Sequence, residues 1–107
     1  MRKQTSRRLS PANRKQEILN SALLVASFPG EWGKITRASI AAHAGCAEGL
    51  INRYFGTMGA FRRAIMRAAI QSRNLAIIAQ GLAAVDPNAQ KAPPELKAAA
   101  VKTLAGV

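Results

Sequence analysis

The stretch that decides the fold is "TRASIAAHAGCAEGLINRYF", residues 36–55. Its first half is rich in alanine and follows Thr36, whose hydroxyl can cap a helix that begins at the next residue. Gly45 interrupts this run, and glycine is favoured just after the end of a helix. A helical pattern resumes at residue 47. The sequence therefore predicts two short helices, 36–44 and 47–55, joined by a tight turn, which is the pattern of a helix-turn-helix.

The flanking sequence also predicts helices. Ser10 is placed to cap a first helix, with Pro11 at its first position. The apolar residues of this helix recur with a period of 3.6; they are Ile18, Leu19, Ala22, Leu23, Val25 and Ala26. A long helix is predicted over 60–85 and a short one over 95–105, and no segment shows the alternation of a strand. The expected fold class is all-α, a three-helix helix-turn-helix domain followed by one long and one short C-terminal helix.

The chain divides into a basic flexible arm at 1–9, a helix-turn-helix domain at 10–59 and C-terminal helices at 60–107. The formal net charge is +11, from 16 Lys and Arg against 5 acidic residues. Such an excess predicts a polyanionic partner, such as nucleic acid or an anionic membrane surface. The cations assigned to the basic arm are Arg2, Lys3, Arg7, Arg8, Arg14 and Lys15.

Other functions find little support in the composition. The chain has one cysteine, Cys46, and one histidine, His43, so neither a disulfide nor a metal cluster is expected. We expect no cofactor and no enzyme activity, since paired carboxylates, a Cys-His pair and a phosphate-cradling loop are all lacking. His43 is predicted to be half-buried, and Cys46 to be a small core residue or a redox-sensing thiol. No apolar run has the length of a membrane span, and none follows the basic N-terminus as in an export signal, which predicts a cytoplasmic protein.

A spaced pattern covers residues 14–66. It consists of Ile-Leu-x-x-Ala, a Gly-rich break, Thr-x-x-x-Ile-Ala-x-x-Ala-Gly and x-Gly-x-x-x-x-Tyr-Phe. The matching positions are Ile18, Leu19, Ala22, Thr36, Ile40, Ala41, Ala44, Gly45, Gly49, Tyr54 and Phe55. In this pattern the chain resembles the DNA-binding domain of the TetR family of bacterial repressors.

The resemblance implies that Thr36 binds a DNA phosphate and that the second short helix faces the DNA. The expected DNA-binding set is Thr36, Arg37, Ala47, Glu48, Gly49, Asn52, Arg53, Tyr54 and Thr57. Three positions depart from the family, with Ala47 in place of a capping Ser or Thr, Asn52 in place of a Tyr, and Met58 in place of a Lys. Because each change removes a usual cap or phosphate contact, we expect the basic arm to compensate by following the DNA backbone or entering the minor groove.

In the second short helix, Leu50, Ile51 and Phe55 are predicted to face the core, and Asn52, Arg53 and Tyr54 to face outward. Three side chains of this helix have alternative roles. Glu48 either favours the helix N-terminus through the helix dipole or accepts a hydrogen bond from a cytosine amino group. Asn52 can read adenine through a bidentate pair. Arg53 either reads guanine in the same way or makes a phosphate contact.

Members of the family continue into a long helical domain that holds an effector and forms the dimer, whereas here only 60–107 follow. No small-molecule inducer is therefore expected. The apolar residues Leu75, Ile78, Leu82 and Val85 are predicted to pair with a second copy, giving a homodimer. The alternative is that the last helix folds back and covers them.

The predicted function is a sequence-specific double-stranded DNA-binding regulator, a repressor that binds a palindromic operator as a dimer. Such a small regulator would suit a plasmid or a phage. One alternative is a low-specificity architectural protein of the nucleoid type, whose affinity is dominated by salt. The other is a cationic protein that acts on RNA or on an anionic membrane.

Overall fold

The computed structural model describes residues 11–104, which form six α-helices and two short 3-10 turns. The helices are α1 (Pro11–Ala26), α2 (Arg37–Ala44), α3 (Glu48–Phe55), α4 (Met58–Gln71), α5 (Leu75–Ala83) and α6 (Pro94–Leu104). The 3-10 turns are Trp32–Lys34 and Ala89–Lys91. Between residues 11 and 104 there is no strand. The predicted all-α class is confirmed.

The core begins on one face of α1. Ile18, Ala22 and Ala26 are fully buried there, as the apolar period predicts. α1 packs against α2 and α4, and α3 packs against both of those helices. At the junction of α3 and α4 the rings of Phe55 and Phe61 lie 4.8 Å apart between centroids, at 40° to each other. This aromatic pair joins the region of the two short helices to the C-terminal helices.

The single long helix predicted over 60–85 is wrong, because the chain breaks between α4 and α5. Arg73 has a positive φ of 57°, and the N–H of Asn74 reaches back to the carbonyl of Ala69 at 2.8 Å. That six-to-one hydrogen bond after a left-handed residue is a Schellman ending. The side-chain oxygen of Asn74 then accepts from the N–H of Ile77 at 3.2 Å, which caps α5. The apolar period continues across this break, so periodicity alone does not reveal it.

The apolar residues of α5 are covered to a large extent within the chain. α6 packs along α5, and Ile78 is fully buried. Leu75 and Leu82 are half-buried, whereas Val85 is 73% exposed. For Ile78 the alternative, a last helix that folds back, is the correct one, and this side chain is not available to a second copy. Pairing with a second copy through the remaining three stays a prediction.

Gln80 of α5 fastens the connection between α1 and α2. Its side-chain oxygen accepts from the N–H of Trp32 at 2.9 Å. Its amide nitrogen donates to the carbonyls of Ala26 at 2.9 Å and Phe28 at 3.2 Å. One side chain thus satisfies backbone groups at both ends of this connection, which fixes the path from α1 to α2.

Arg62 of α4 holds the same connection from another side. Its guanidinium carbon lies 4.8 Å from the centroid of the buried Trp32 ring, within the range of a cation–π contact. One guanidinium nitrogen donates to the carbonyl of Trp32 at 2.7 Å and the other to that of Ile35 at 3.4 Å. Burial lowers the pKa of Arg62, and the nearby charge of Asp86 acts in the opposite direction.

Replacing Gln80 with Ala should destabilise the protein by about 1–3 kcal/mol, because partly buried backbone groups lose their partners. The matched control is Gln71→Ala, at an exposed position on the last turn of α4. Both changes replace a glutamine of a helix with alanine, and only Gln80 binds backbone groups outside its own helix, so the difference between them reports these hydrogen bonds. Urea unfolding of both variants measures that difference. Equal free energies of unfolding for the two variants would show that the hydrogen bonds of Gln80 do not stabilise the connection between α1 and α2.

Candidate nucleic-acid interface

The N-terminus of α2 is capped on its solvent-facing side. The hydroxyl of Thr36 accepts from the N–H of Ser39, and the hydroxyl of Ser39 accepts from the N–H of Thr36, each at 3.0 Å. This reciprocal pair is a capping box in which serine takes the place of the usual Glu or Gln. Thr36 is exposed, so the first turn of α2 is both fixed and accessible. The predicted cap is confirmed, and the expected phosphate contact of Thr36 stays a prediction.

Gly45 ends α2, as predicted, in the left-handed conformation with φ 73° and ψ 37°. Its N–H and that of Cys46 both donate to the carbonyl of Ala41, the latter at 3.0 Å. The chain then turns within three residues into α3. Ala47 occupies the N-cap position of α3 and makes no side-chain capping bond. The start of α3 is therefore set by the turn and not by a cap.

α3 separates into a core face and a solvent face. Ile51 and Phe55 are buried. Gly49, Asn52 and Arg53 are exposed, and their spacing of three and four residues places them on one side of the helix. The orientation predicted for these five residues is confirmed. The exposed three form the outer face of α3.

Tyr54 and Leu50 lie between these two faces. Each is half-buried and packs against the core. The prediction that Tyr54 points outward is therefore wrong in part, since much of its ring serves packing. Leu50 was expected in the core and is covered only in part. A residue at the border of a helix face depends on which neighbouring helix covers it, and the helical period does not give that.

A depression separates the first turn of α2 from the starts of α3 and α4. Its volume is about 260 Å³, and it is lined by Ile35, Thr36, Arg37, Ala38, Glu48 and Met58. The structure therefore brings Thr36 and Arg37, two residues of the predicted DNA-binding set, together with the acid Glu48. Within the part of the chain that the structure describes, Arg37 and Glu48 make no ion pair, and the one such pair joins Arg14 to Glu17 at 3.3 Å. The Glu48 charge partly offsets the attraction of Arg37 for an anion.

Glu48 is the first residue of α3 and lies in its first turn. A carboxylate there interacts favourably with the helix dipole. This position agrees with the first of the two roles considered for Glu48. Thr57 has a comparable place at the next helix, where its hydroxyl accepts from the N–H of Ala60 at 3.1 Å and caps α4. Both residues thus have local structural roles at helix starts next to the outer face of α3.

Four of the six cations assigned to the basic arm lie outside the described residues. They are Arg2, Lys3, Arg7 and Arg8. Arg14 and Lys15 belong to α1, so assigning them to the arm was wrong. Arg14 pairs with Glu17, and the Lys15 ammonium lies 5.3 Å from the centroid of the Phe55 ring. Pro11 begins α1 as predicted, and its favoured place at a first helical position explains why the helix already includes these two cations.

His43 and Cys46 lie at the end of α2 and in the turn after it. His43 is exposed, so the prediction that it is half-buried is wrong. Cys46 is half-buried and packs against the core, so the prediction of a core residue is confirmed only in part. Burial raises the pKa of the Cys46 thiol, with Arg14 opposing this shift and Glu17 adding to it. A raised pKa disfavours the thiolate, the reactive form of a redox-sensing cysteine.

Arg62 and Gln80, the two residues that hold the connection before α2 in place, were not predicted from the sequence. In the sequence both residues resemble ordinary solvent-facing polar residues of a helix. The partners of Gln80 lie about fifty residues earlier in the chain, so no local pattern indicates them. The sequence signal for a packed connection was Trp32, a large apolar residue close to Gly30 and Gly33, and the structure shows that it is buried.

Comparison of the chain with models of protein families, with curated proteins and with solved structures found no match. The likeness to the TetR family stays a prediction made from residue spacing. Among residues 11–104, no helix is long and apolar enough to cross a membrane. The same part of the chain holds no group of three or more His, Cys, Asp or Glu side chains able to bind a metal ion.

Substituting Gly45 with Ala should cost about 1–2 kcal/mol, because a residue with a Cβ is strained in the left-handed conformation. Gly33→Ala is the control, since that glycine has no positive φ and an added Cβ meets open space. Chemical denaturation followed by circular dichroism compares the two variants. If both were equally stable, the turn between α2 and α3 would not depend on the conformation of Gly45.

Proposed function

We propose that this protein is a sequence-specific double-stranded DNA-binding regulator of the TetR-like helix-turn-helix type. The observation that carries the proposal is the outer face of α3, where Gly49, Asn52 and Arg53 are exposed while Ile51 and Phe55 of the same helix are buried. A recognition helix needs this arrangement, with one face anchored in the core and the other offering donors to base edges in the major groove.

The residues of the outer face have suitable chemistry for base readout. An Asn amide can pair bidentately with adenine, and an Arg guanidinium with guanine. Gly49 leaves space near the start of α3, which favours a close approach to the DNA. Asn52 and Arg53 are therefore the residues proposed to specify the sequence, with a phosphate contact as the alternative for Arg53.

The first turn of α2 is proposed to contact the phosphate backbone. Thr36 is exposed and caps this turn, and Arg37 lines the depression beside it. Helix N-termini favour anions through their free N–H groups and the helix dipole. Glu48 lines the same depression, so a phosphate would bind toward Thr36 and away from that carboxylate. The net charge of +11 supplies long-range attraction to DNA.

The biological form proposed is a cytoplasmic repressor that binds a palindromic operator as a homodimer and blocks transcription by occupying it. One eight-residue recognition helix contacts few base pairs, and two half-sites one helical turn apart raise specificity. No enzyme activity, cofactor or inducer forms part of this proposal. The second candidate is an architectural DNA-binding protein, which the large excess of basic over acidic residues favours.

Selection from a randomised duplex pool, repeated at low and high salt, tests the proposal. We expect an enriched palindrome with two half-sites at both salt concentrations. Binding without an enriched motif that collapses as salt rises would favour the architectural candidate, because counterion release then accounts for the affinity. Absence of duplex binding at low salt would contradict both candidates.

Replacing Asn52 with Ala should reduce discrimination at one base position by about 1–3 kcal/mol, because the bidentate pair is lost. The control is Asn20→Ala, an exposed asparagine on α1 whose side chain accepts from Gln16 at 3.0 Å. Fluorescence anisotropy with the selected duplex and with single-base variants measures the change. Unaltered base preference in the Asn52 variant would remove this residue from the proposed readout.

Replacing Arg37 with Gln should weaken binding to all duplexes alike. The slope of the logarithm of the binding constant against the logarithm of the salt concentration (the salt slope) should decrease in magnitude by about 0.9, the value for one phosphate contact on B-DNA. Lys102→Gln removes the same charge from the exposed surface of α6 and serves as the control. Titrations over a range of salt concentrations give both slopes. A salt slope of Arg37→Gln equal to that of the unchanged protein would exclude a phosphate contact by Arg37.

A further inference from the structure

A second concave surface lies between α4 and the 3-10 turn Ala89–Lys91. It has a volume of about 140 Å³ and is lined by Arg63, Arg67, Ile70, Asn88 and Lys91. A water molecule occupies about 30 Å³ in the liquid, so the space exceeds that of a single bound water. Three of the five lining residues are cations, one is an amide, and none is an acid.

Packing fixes the position of the turn that forms one wall of this cavity. Ala89 is fully buried against α5 at Gly81. A Cβ at Gly81 would lie 2.9 Å from the Cβ of Ala89 and would overlap the terminal methyl of Met66. Glycine in the interior of α5 thus permits the close approach of the turn to α5 and α4. Packing therefore fixes the backbone of the turn beside α4, and the three cations that line the cavity, Arg63, Arg67 and Lys91, are exposed at its surface.

Hydrogen bonds hold the turn from both of its ends. The carboxylate of Asp86 accepts from the N–H of Asn88 at 2.8 Å. The ammonium of Lys97 on α6 donates to the carbonyl of Gln90 at 3.2 Å. The acid closest to the cavity along the chain is therefore engaged with the backbone of the turn, and it lies outside the cavity lining.

The cations of the cavity have no ionic partner among the described residues. Arg63 and Arg67 are one helical turn apart on α4, and Lys91 faces them from the 3-10 turn, yet none makes an ion pair. Like charges at this helical spacing destabilise a helix unless an anion compensates them. Guanidinium groups bind phosphate oxygens bidentately, lysine binds them as a point charge, and an amide can add a donor.

We propose that this cavity binds a phosphate group carried by a small molecule. The proposal is independent of DNA binding and concerns the site alone, whether or not its occupancy affects any other function.

Helix geometry favours a small ligand over the phosphate backbone of DNA bound to α3. Met58 of α4 lines the depression beside the first turn of α2. Arg67 lies nine residues further along α4, which is about half a turn away around the helix axis at 3.6 residues per turn. The cavity therefore lies on nearly the opposite side of α4 from the proposed DNA interface, which favours a small ligand over the phosphates of a duplex bound at α3.

Titration calorimetry of the full chain with pyrophosphate, at an ionic strength held constant with sodium chloride, tests the proposal. We expect one saturable site, and at least tenfold weaker binding by the double variant Arg63→Gln, Arg67→Gln. The matched control is Arg73→Gln, Lys102→Gln, which removes the same two charges from exposed positions that do not line the cavity. Its affinity should stay within twofold of the unchanged protein.

Several results would overturn the proposal. One is the absence of saturable pyrophosphate binding. Another is an equal loss of affinity in the two double variants, because it would show that net charge alone attracts pyrophosphate. Should the first double variant fail to fold by circular dichroism, Lys91→Gln in the turn replaces it, and unaltered pyrophosphate affinity in that variant has the same meaning. These titrations contain no DNA, so their failure is distinct from a failure of the proposed function.

Binding to duplex DNA distinguishes the two possible sources of the phosphate group, a small molecule and DNA. Fluorescence anisotropy with a short duplex should give the same affinity and salt slope for the two double variants. A larger loss for the variant at Arg63 and Arg67 would place DNA phosphates in the cavity and would overturn assignment of the site to a small molecule.

Discussion

The fold depends on the hydrogen bonds and packing that hold the connection between α1 and α2 against the C-terminal helices. Trp32 is buried in this connection, and its backbone N–H and carbonyl bind Gln80 of α5 and Arg62 of α4 respectively. The two short helices follow directly from this point, so their position relative to α1 depends on side chains of the C-terminal region. A cation over an indole ring and an amide between two backbone segments both require a partly dry setting to be effective, and the packing of Trp32 provides it.

Because of these contacts, α1, α2 and α3 do not form a unit that is independent of the C-terminal helices. α1 packs against α4, and the ring of Phe55 contacts that of Phe61 across the junction. Removing α4 and α5 would leave the Trp32 backbone, the carbonyls of Ala26 and Phe28 and one side of the Phe55 ring without these partners. The C-terminal helices therefore complete the core of the scaffold that presents α2 and α3, independently of any contribution to pairing between copies.

The sequence predicted local structure well where one residue type decides the outcome. Pro11 at a helix start, Thr36 as a cap and Gly45 at a left-handed helix end all follow from backbone chemistry within a few positions. The two faces of α3 follow from helical period alone. The break at Asn74 was missed because the apolar period continues through it, although an asparagine is itself a good cap.

Features that depend on distant contacts could not be read in the same way. Whether Ile78 meets a second copy or α6 depends on the course of the chain after α5. The burial of Tyr54 and the exposure of His43 depend on which helix lies beside them. In the candidate interface, the residue types were predictable, but the shared depression of Arg37 and Glu48 appears only when α2 and α3 are placed together.

The arginines of α4 show why charge alone does not define a binding surface. Arg62 and Arg63 are adjacent in sequence, yet one helical step of about 100° separates their directions. Arg62 turns toward Trp32 and Ile35, where its donors satisfy carbonyls and stabilise the fold. Arg63 joins Arg67 on the side that faces the turn at Lys91, without an ionic partner in the described chain. Of the cations that make the chain strongly basic, only those left without such internal partners are available to hold an anion.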